Sequence, residues 1–291
     1  MIGKNTKVVL VAPAVIYLAA LLLFPGLFNL YAAFYRWPLG LSPHFIGFYN
    51  FYRALLLDDR LHHAFAFTAL YSAVSVSVEI LLGLGLALLL YSMPLNPKVS
   101  YTIRLLLVIP FMVAPITAGY MWRMLFHGSY GPLTYLMSLI GLGRVDIYSH
   151  PKLAFWGVVI IDVWQWTPFT FLVFYSGLNS LPSEPFEAAL VDGARGWNLF
   201  KYVTFPLLEP LVLVVALLRV IDAFKVFDTI YISTGGGPGI CTESISLYIY
   251  EKGLHGGFEL GYSGCIAWLF FLVMFFITTV FLIAFRRVIR I

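Results

Sequence analysis

Read for its apolar and polar positions, the chain of 291 residues divides into six long apolar runs separated by polar stretches. The runs lie near Val8 to Phe34, Ala64 to Tyr91, Tyr101 to Phe126, Leu153 to Leu178, Leu211 to Ile232 and Tyr262 to Phe285. A hydrocarbon core about 30 Å thick takes roughly 20 apolar residues per helix, so each run is long enough to cross one. Lipid offers no partner for backbone groups, and none of the runs has the alternating pattern of barrel strands. The pattern predicts an all-α integral membrane protein with six transmembrane helices, organised as one domain over residues 1–291. Lys4 and Lys7 precede the first run, which is too long for a signal core and lacks a clear small-residue cleavage site, so it reads as a retained span.

The polar stretch from Leu181 to Pro210 spends about thirty residues where a few would turn the chain. Ser183 is placed to cap a short helix, Pro185 suits its first turn, and Glu184 and Glu187 complement the positive end of its dipole. Ala188 and Ala189 form a low face that another backbone can approach. Asp192 and Gly193 break the helix. A second segment from Gly196 to Phe205 carries Trp197, Phe200 and Tyr202, and Pro206 and Pro210 lead back to the membrane. A helix lying on lipid headgroups carries Lys and Arg on its polar face, whereas this one starts acidic. The pattern predicts a handle gripped by another protein outside the bilayer.

Composition agrees with the apolar pattern: 61% of residues are hydrophobic and 11% charged, against roughly 25% charged in soluble domains. The net charge of +4 is modest, and Arg286, Arg287 and Arg290 follow the last apolar run as a topology signal, so no nucleic-acid partner is expected. With six spans, one side collects nine basic residues, among them Lys98, Arg104, Arg195 and Lys201, and the other seven. The basic C-terminus places both termini and the handle in the cytoplasm. Cys241 and Cys265 make no disulfide framework and are given no chemical role. Pro13, Pro25, Pro110, Pro115 and Pro168 interrupt the runs, tolerable where neighbouring helices satisfy the freed backbone.

The fifth run carries Arg219, Asp222, Lys225 and Asp228 at intervals of three, neighbours on a helix surface. Charges near mid-bilayer cost roughly 2.5–3.5 kcal/mol each on insertion scales. The spacing fits either a cavity lining or a ladder of internal ion pairs. The fourth run offers Asp162, Trp164, Gln165 and Trp166, aromatic faces beside hydrogen-bonding groups. Asp162, Trp164, Gln165, Arg219, Asp222 and Lys225 are therefore the expected solute-pathway residues. The six histidines fall in predicted outer loops, with no metal site expected. The glycine-rich loop Gly235 to Gly239 is read as a flexible contact or a gate.

The handle resembles the signature of the inner-membrane permeases of binding-protein-dependent ABC importers: Glu187-Ala188-Ala189, three residues, Gly193, then Val203-Thr204-Phe205-Pro206. The resemblance extends over Trp164 to Phe169, Leu218 to Asp228 and Thr234 to Gly239, and is strongest to the carbohydrate-uptake branch with maltose and glycerol-phosphate systems. The ending Arg290-Ile291 lacks a glycine-containing tail, so the chain looks like the first permease of such a pair. The resemblance implies a non-catalytic subunit in a prokaryotic plasma (inner) membrane. Its implied partners are a second permease, two ATP-binding subunits and an extracytoplasmic solute-binding protein. ATPase closure would act on Glu187, Ala188, Ala189, Asp192, Gly193, Trp197, Phe200 and Pro206. No phosphate loop occurs in the chain, so ATP and magnesium are expected on the partners. The alternatives are an ion-coupled secondary transporter, for which no repeat between the halves is visible, and a membrane-embedded enzyme. The enzyme reading suffers because nothing in the sequence places Asp162 and Asp222 together.

Overall fold

The computed structural model describes residues 4–141 and 143–289; Arg290 and Ile291 lie outside the described residues, as do the side chains of Lys4, Lys7 and Arg287. The long helices are α1 (Lys4–Ala33), α3 (Asp59–Ser92), α7 (Pro151–Asn179), α10 (Phe205–Phe224) and α13 (Leu260–Ile289), with the short α2 (Tyr49–Leu56) between the first two. Further helices are α4 (Pro97–Val108), α5 (Pro115–Leu125), α6 (Pro132–Leu139), α8 (Glu184–Val191), α9 (Trp197–Leu199), α11 (Asp228–Ser233) and α12 (Ile245–Tyr250). Two-residue strands Tyr35–Arg36 and His44–Phe45 pair antiparallel between α1 and α2. Apart from this short pairing, the regular structure of the described residues is helical, as the all-α pattern predicts.

Among the described residues four helices, α1, α3, α7 and α13, are long and apolar enough to cross a membrane on their own. The third expected span is not one helix: α4 tightens into a 3₁₀ turn over Ile109–Met112, and α5 departs at 95°. Two prolines explain the break. Pro110 and Pro115 donate no backbone hydrogen bond, and Ala114, ahead of Pro115, is held extended at ψ 139°. The freed carbonyl of Val113 accepts from Gln165 Nε2 of α7 at 2.6 Å. The fifth span is also displaced from Leu211–Ile232. Its helix starts at Phe205, because Pro206 is tolerated in a first turn, and stops at Phe224. Beyond it Ser244 Oγ donates to the Val226 carbonyl at 2.8 Å, satisfying the chain where it leaves the helix.

The chain separates into two compact units. One comprises Met1–His62 and Tyr248–Phe275. Its polar centre is Asp58, which accepts from the hydroxyls of Tyr248 and Tyr262 at 2.5 Å each and from Leu61 N–H at 3.0 Å. Burial pushes the Asp58 carboxyl up, but these donors and nearby Lys252 outweigh it and hold the group below its ordinary range. Arg53 pairs with Glu259 at 2.7 Å and lies 4.0 Å over the Tyr262 ring.

The other unit comprises His63–Leu247 and Phe276–Ile291. Its apolar core joins three helices: Leu84, Ala87 and Leu90 of α3, Phe171, Phe174 and Leu178 of α7, and Leu208 and Val215 of α10. Gly83 allows the close approach of α3 to α7, since a Cβ there would collide with the Thr170 side chain and lie 2.8 Å from Phe171 N.

Candidate functional site

The stretch 181–210 folds as two helical pieces around a glycine turn. In α8, Pro185 occupies the first turn with Glu184 and Glu187, where carboxylates complement the helix dipole. Ser183 takes the N-cap position without a side-chain cap bond. The helix ends at Asp192, Gly193 turns at φ 83°, and Ala194 N–H closes the turn on the Ala189 carbonyl at 2.8 Å. A side chain in this left-handed region costs about 1–2 kcal/mol, so glycine is the fitting residue. From Trp197 the chain stays helical: α9 passes through a π-helical turn, Phe200–Thr204, directly into α10. Phe200 is packed between Trp197 and Phe205, with ring centres 5.2 and 5.9 Å away.

Glu187, Ala188, Asp192, Gly193, Trp197 and Pro206 are exposed, and Ala189 and Phe200 half-buried. Val191 is 88% and Trp197 70% exposed. Large apolar side chains so exposed beside carboxylates, on a segment between helices, form a surface suited to a protein contact.

A second constellation lies within the bundle, and it centres on Arg219 of α10, which is 1% exposed. Its Nε donates to Glu79 Oε2 at 2.5 Å and its Nη2 to Glu79 Oε1 at 3.0 Å, a two-pronged grip on α3. Nη2 also donates to Asp162 of α7 at 3.0 Å, and Nη1 to Asp222, one turn along α10, at 2.9 Å. The guanidinium lies 4.2 Å over the Trp166 ring. Asp162 and Asp222, which nothing in the sequence places together, are thus brought together by one arginine. Of the two readings of the fifth run, the ion-pair ladder holds from Arg219 to Asp222 and on to Lys225, 3.9 Å away. It ends there because the helix stops at Phe224, and Asp228 opens α11 instead of continuing the row.

Glu79 lies hidden inside the apolar run from Ala64 to Tyr91. The signal was present: one carboxylate among some two dozen apolar and small residues has to find a partner in a bilayer.

Beside this cluster is a cavity of about 160 Å³ lined by Asp162, Gln165, Trp166, Asp222, Lys225 and Phe227, among others. Carboxylates, an amide, an ammonium group and an indole face converge there, which suits hydroxyl groups and the flat faces of a polyol. Of the six expected pathway residues, Asp162, Gln165, Asp222 and Lys225 line it. Trp164 instead packs edge-on against Trp122, with ring centres 5.7 Å apart, and faces an apolar hollow beside Pro110 and Leu107. Arg219 is enclosed by its carboxylates.

The Gly235–Gly239 loop is not slack. Thr242 Oγ1 donates to Thr234 Oγ1 at 2.8 Å and to the Gly237 carbonyl at 2.7 Å, and Thr242 N–H to the Gly236 carbonyl at 3.0 Å. His62 and His63 lie in the first turns of α3, not in a loop, and His127 stacks on Tyr130 at 3.7 Å.

Comparison with known proteins follows the same outline. The family described as "Binding-protein-dependent transport system inner membrane component" matches residues 79–290, a region that begins at Glu79 and includes the handle. The chain is 39% identical over 217 residues to the trehalose/maltose transport system permease protein MalF of Thermococcus litoralis, covering 75% of this chain and 72% of that protein. It is 33% identical over 285 residues to the sulfoquinovosyl glycerol transport system permease protein SmoG of Agrobacterium fabrum, covering 97% and 90%. The fold is similar to a chain in the crystal structure of a bacterial ABC transporter involved in the import of alginate, with a TM-score of 0.80 and 22% identity, over 96% of this chain and 94% of that one.

Proposed function

Because the chain belongs to the family of binding-protein-dependent transport system inner membrane components, we propose that it is one of two permease subunits of an ABC importer for a sugar or related solute. It is a non-catalytic subunit of a prokaryotic inner membrane, with both termini and the 181–210 handle in the cytoplasm. Two partner subunits bind and hydrolyse ATP with magnesium, and an extracytoplasmic binding protein delivers the solute. The observation that carries the reading is the handle: Val191 and Trp197 exposed on a turned helix pair that runs without interruption into α10. The ATPase grips Glu187, Ala188, Ala189, Asp192, Gly193 and Trp197, with Phe200 and Pro206 anchoring the handle to the membrane helix. Closure of the ATPases on ATP draws two such handles together and turns the pathway outward; hydrolysis resets it.

The cavity beside Asp162, Gln165, Asp222 and Lys225 forms this chain's wall of the solute pathway. Its volume of about 160 Å³ falls short of the roughly 300–1,000 Å³ of a complete ligand site, as half of a shared pathway should. The sugar assignment is supported by the trehalose/maltose and sulfoquinovosyl glycerol permeases among its relatives.

The test is ATP hydrolysis by the reconstituted complex, with the intact chain and with Glu187→Ala combined with Gly193→Asp, in the presence of solute-loaded binding protein. Loss of assembly or of stimulated hydrolysis, with the permease still folded, is expected. Unchanged stimulated hydrolysis and uptake would overturn the docking role.

A further inference from the structure

Arg219 spends Nε, Nη1 and Nη2 on the carboxylates of Glu79, Asp162 and Asp222, the first two buried and the third half-exposed, a concentration of charge that is costly to hold inside a bilayer. We propose that Arg219 and Glu79 are positioning residues that clamp α3, α7 and α10 into one rigid body at the far end of the handle's lever. The proposal rests on the reading of 181–210 as the ATPase handle and adds the device that keeps the handle's motion from being lost before it reaches the pathway.

The geometry has three parts. First, the handle and Arg219 share one helical stretch, Trp197 to Phe224; at about 1.5 Å per residue the span from Trp197 to Arg219 is roughly 30 Å. Second, Arg219 grips α3 through both Glu79 oxygens and α7 through Asp162. Third, α3 and α7 are joined at the same level: Thr170 Oγ1 donates to the Glu79 backbone carbonyl at 2.9 Å. Glu79 is therefore held by α10 through its side chain and by α7 through its backbone.

Apolar contact alone would not do this. Between helices in lipid, apolar surfaces have little net drive to associate and can slide, because lipid tails satisfy them equally. A guanidinium fork on a carboxylate fixes distance and orientation together, and does so most strongly where water is absent. Helix α10 pulled at its handle end thus carries α3 and α7 with it. The cavity-lining residues Asp162 and Gln165 sit on α7, so the pathway wall moves with the lever.

The test is a distance measurement by pulsed electron resonance between nitroxides at A194C in the handle and K152C at the opposite end of α7. It uses the assembled complex in lipid nanodiscs, with Cys241→Ser and Cys265→Ala, in the resting state and trapped with ATP and vanadate. With the clamp intact, one narrow distance distribution is expected, unchanged by trapping. In Glu79→Gln, which keeps the shape of the side chain, and in Arg219→Lys, which keeps the charge, the bidentate fork is lost, so the distribution widens beyond that of the intact chain and trapping shifts it. A distance that changes on trapping with the clamp intact overturns the rigid body, and variants indistinguishable from the intact chain overturn the clamp. If the ATPases do not associate with the intact chain, the handle reading fails. The clamp is then read from the resting-state width alone, where variants as narrow as the intact chain overturn it.

Discussion

Replacing Gly83 by alanine sets two effects of opposite sign against each other, and their sizes decide the outcome. In a helix interior, alanine is favoured over glycine by about 1 kcal/mol. At Gly83 the new methyl would meet the Thr170 side chain and lie 2.8 Å from the backbone nitrogen of Phe171. The nitrogen cannot rotate away. Thr170 can, but its hydroxyl donates to the Glu79 and Thr167 carbonyls at 2.9 Å each, and displacing it forfeits a buried bond of about 1 kcal/mol. Overpacking of a dense interface costs about 1–3 kcal/mol. The clash wins, leaving Gly83→Ala destabilising by about 1–3 kcal/mol. Gly85, two residues along the same helix, has no atom within 4 Å of the position its Cβ would take. There only propensity acts, and Gly85→Ala should stabilise by up to about 1 kcal/mol. Thermal unfolding of the purified chain in detergent, with the two variants side by side, reads the difference. A Gly83→Ala protein that melts at or above Gly85→Ala would refute the close approach of α3 to α7.

Three other outcomes follow from the same structure. The Asp58 carboxyl is held below its ordinary range, so its charged form stabilises the unit around α1 and α2 above the unfolded value of about 3.9. That contribution is lost as pH falls through the lower folded value. Protection of the α12 amides, taken relative to their intrinsic exchange at each pH, should fall below about pH 4 in the intact chain, and Asp58→Asn should remove that fall; protection that stays constant in the intact chain contradicts the assignment. Gly193→Val places a branched side chain at φ 83°, a local cost of about 1–2 kcal/mol. Co-purification of the partner ATPases should fall well beyond what the small drop in the melting temperature of the chain alone accounts for, and undiminished co-purification argues against the handle. Gln165→Leu strips the Val113 carbonyl of its donor at the break between α4 and α5, costing about 1–3 kcal/mol. Gln165→Met, of similar volume and with no N–H or O–H to donate to that carbonyl, should melt no higher than Gln165→Leu; recovery in Gln165→Met would show that the bond does not hold the break.

The elements written in local chemistry were legible in the sequence, and those set by distant pairing were not. Glu184, Pro185 and Gly193 each announce a helix start or stop through their own backbone preferences, so α8 and its turn could be placed to the residue. Pro110 and Pro115 equally announce a break, yet hydropathy averages over them, and one apolar run hid a 95° bend. Whether a proline kinks a span or divides it depends on a partner for the freed carbonyl. That partner, Gln165, lies 52 residues away in the chain. The same limit hid the buried charges. A spacing of three along α10 predicts Arg219 with Asp222, whereas the stronger grip, on Glu79, spans 140 residues. What the sequence did contain was the imbalance: a carboxylate alone in the second run and an arginine in the fifth, each too costly to leave unpaired in lipid. Opposite charges stranded in two apolar runs of one chain constrain each other, and that constraint by itself sets α3 against α10.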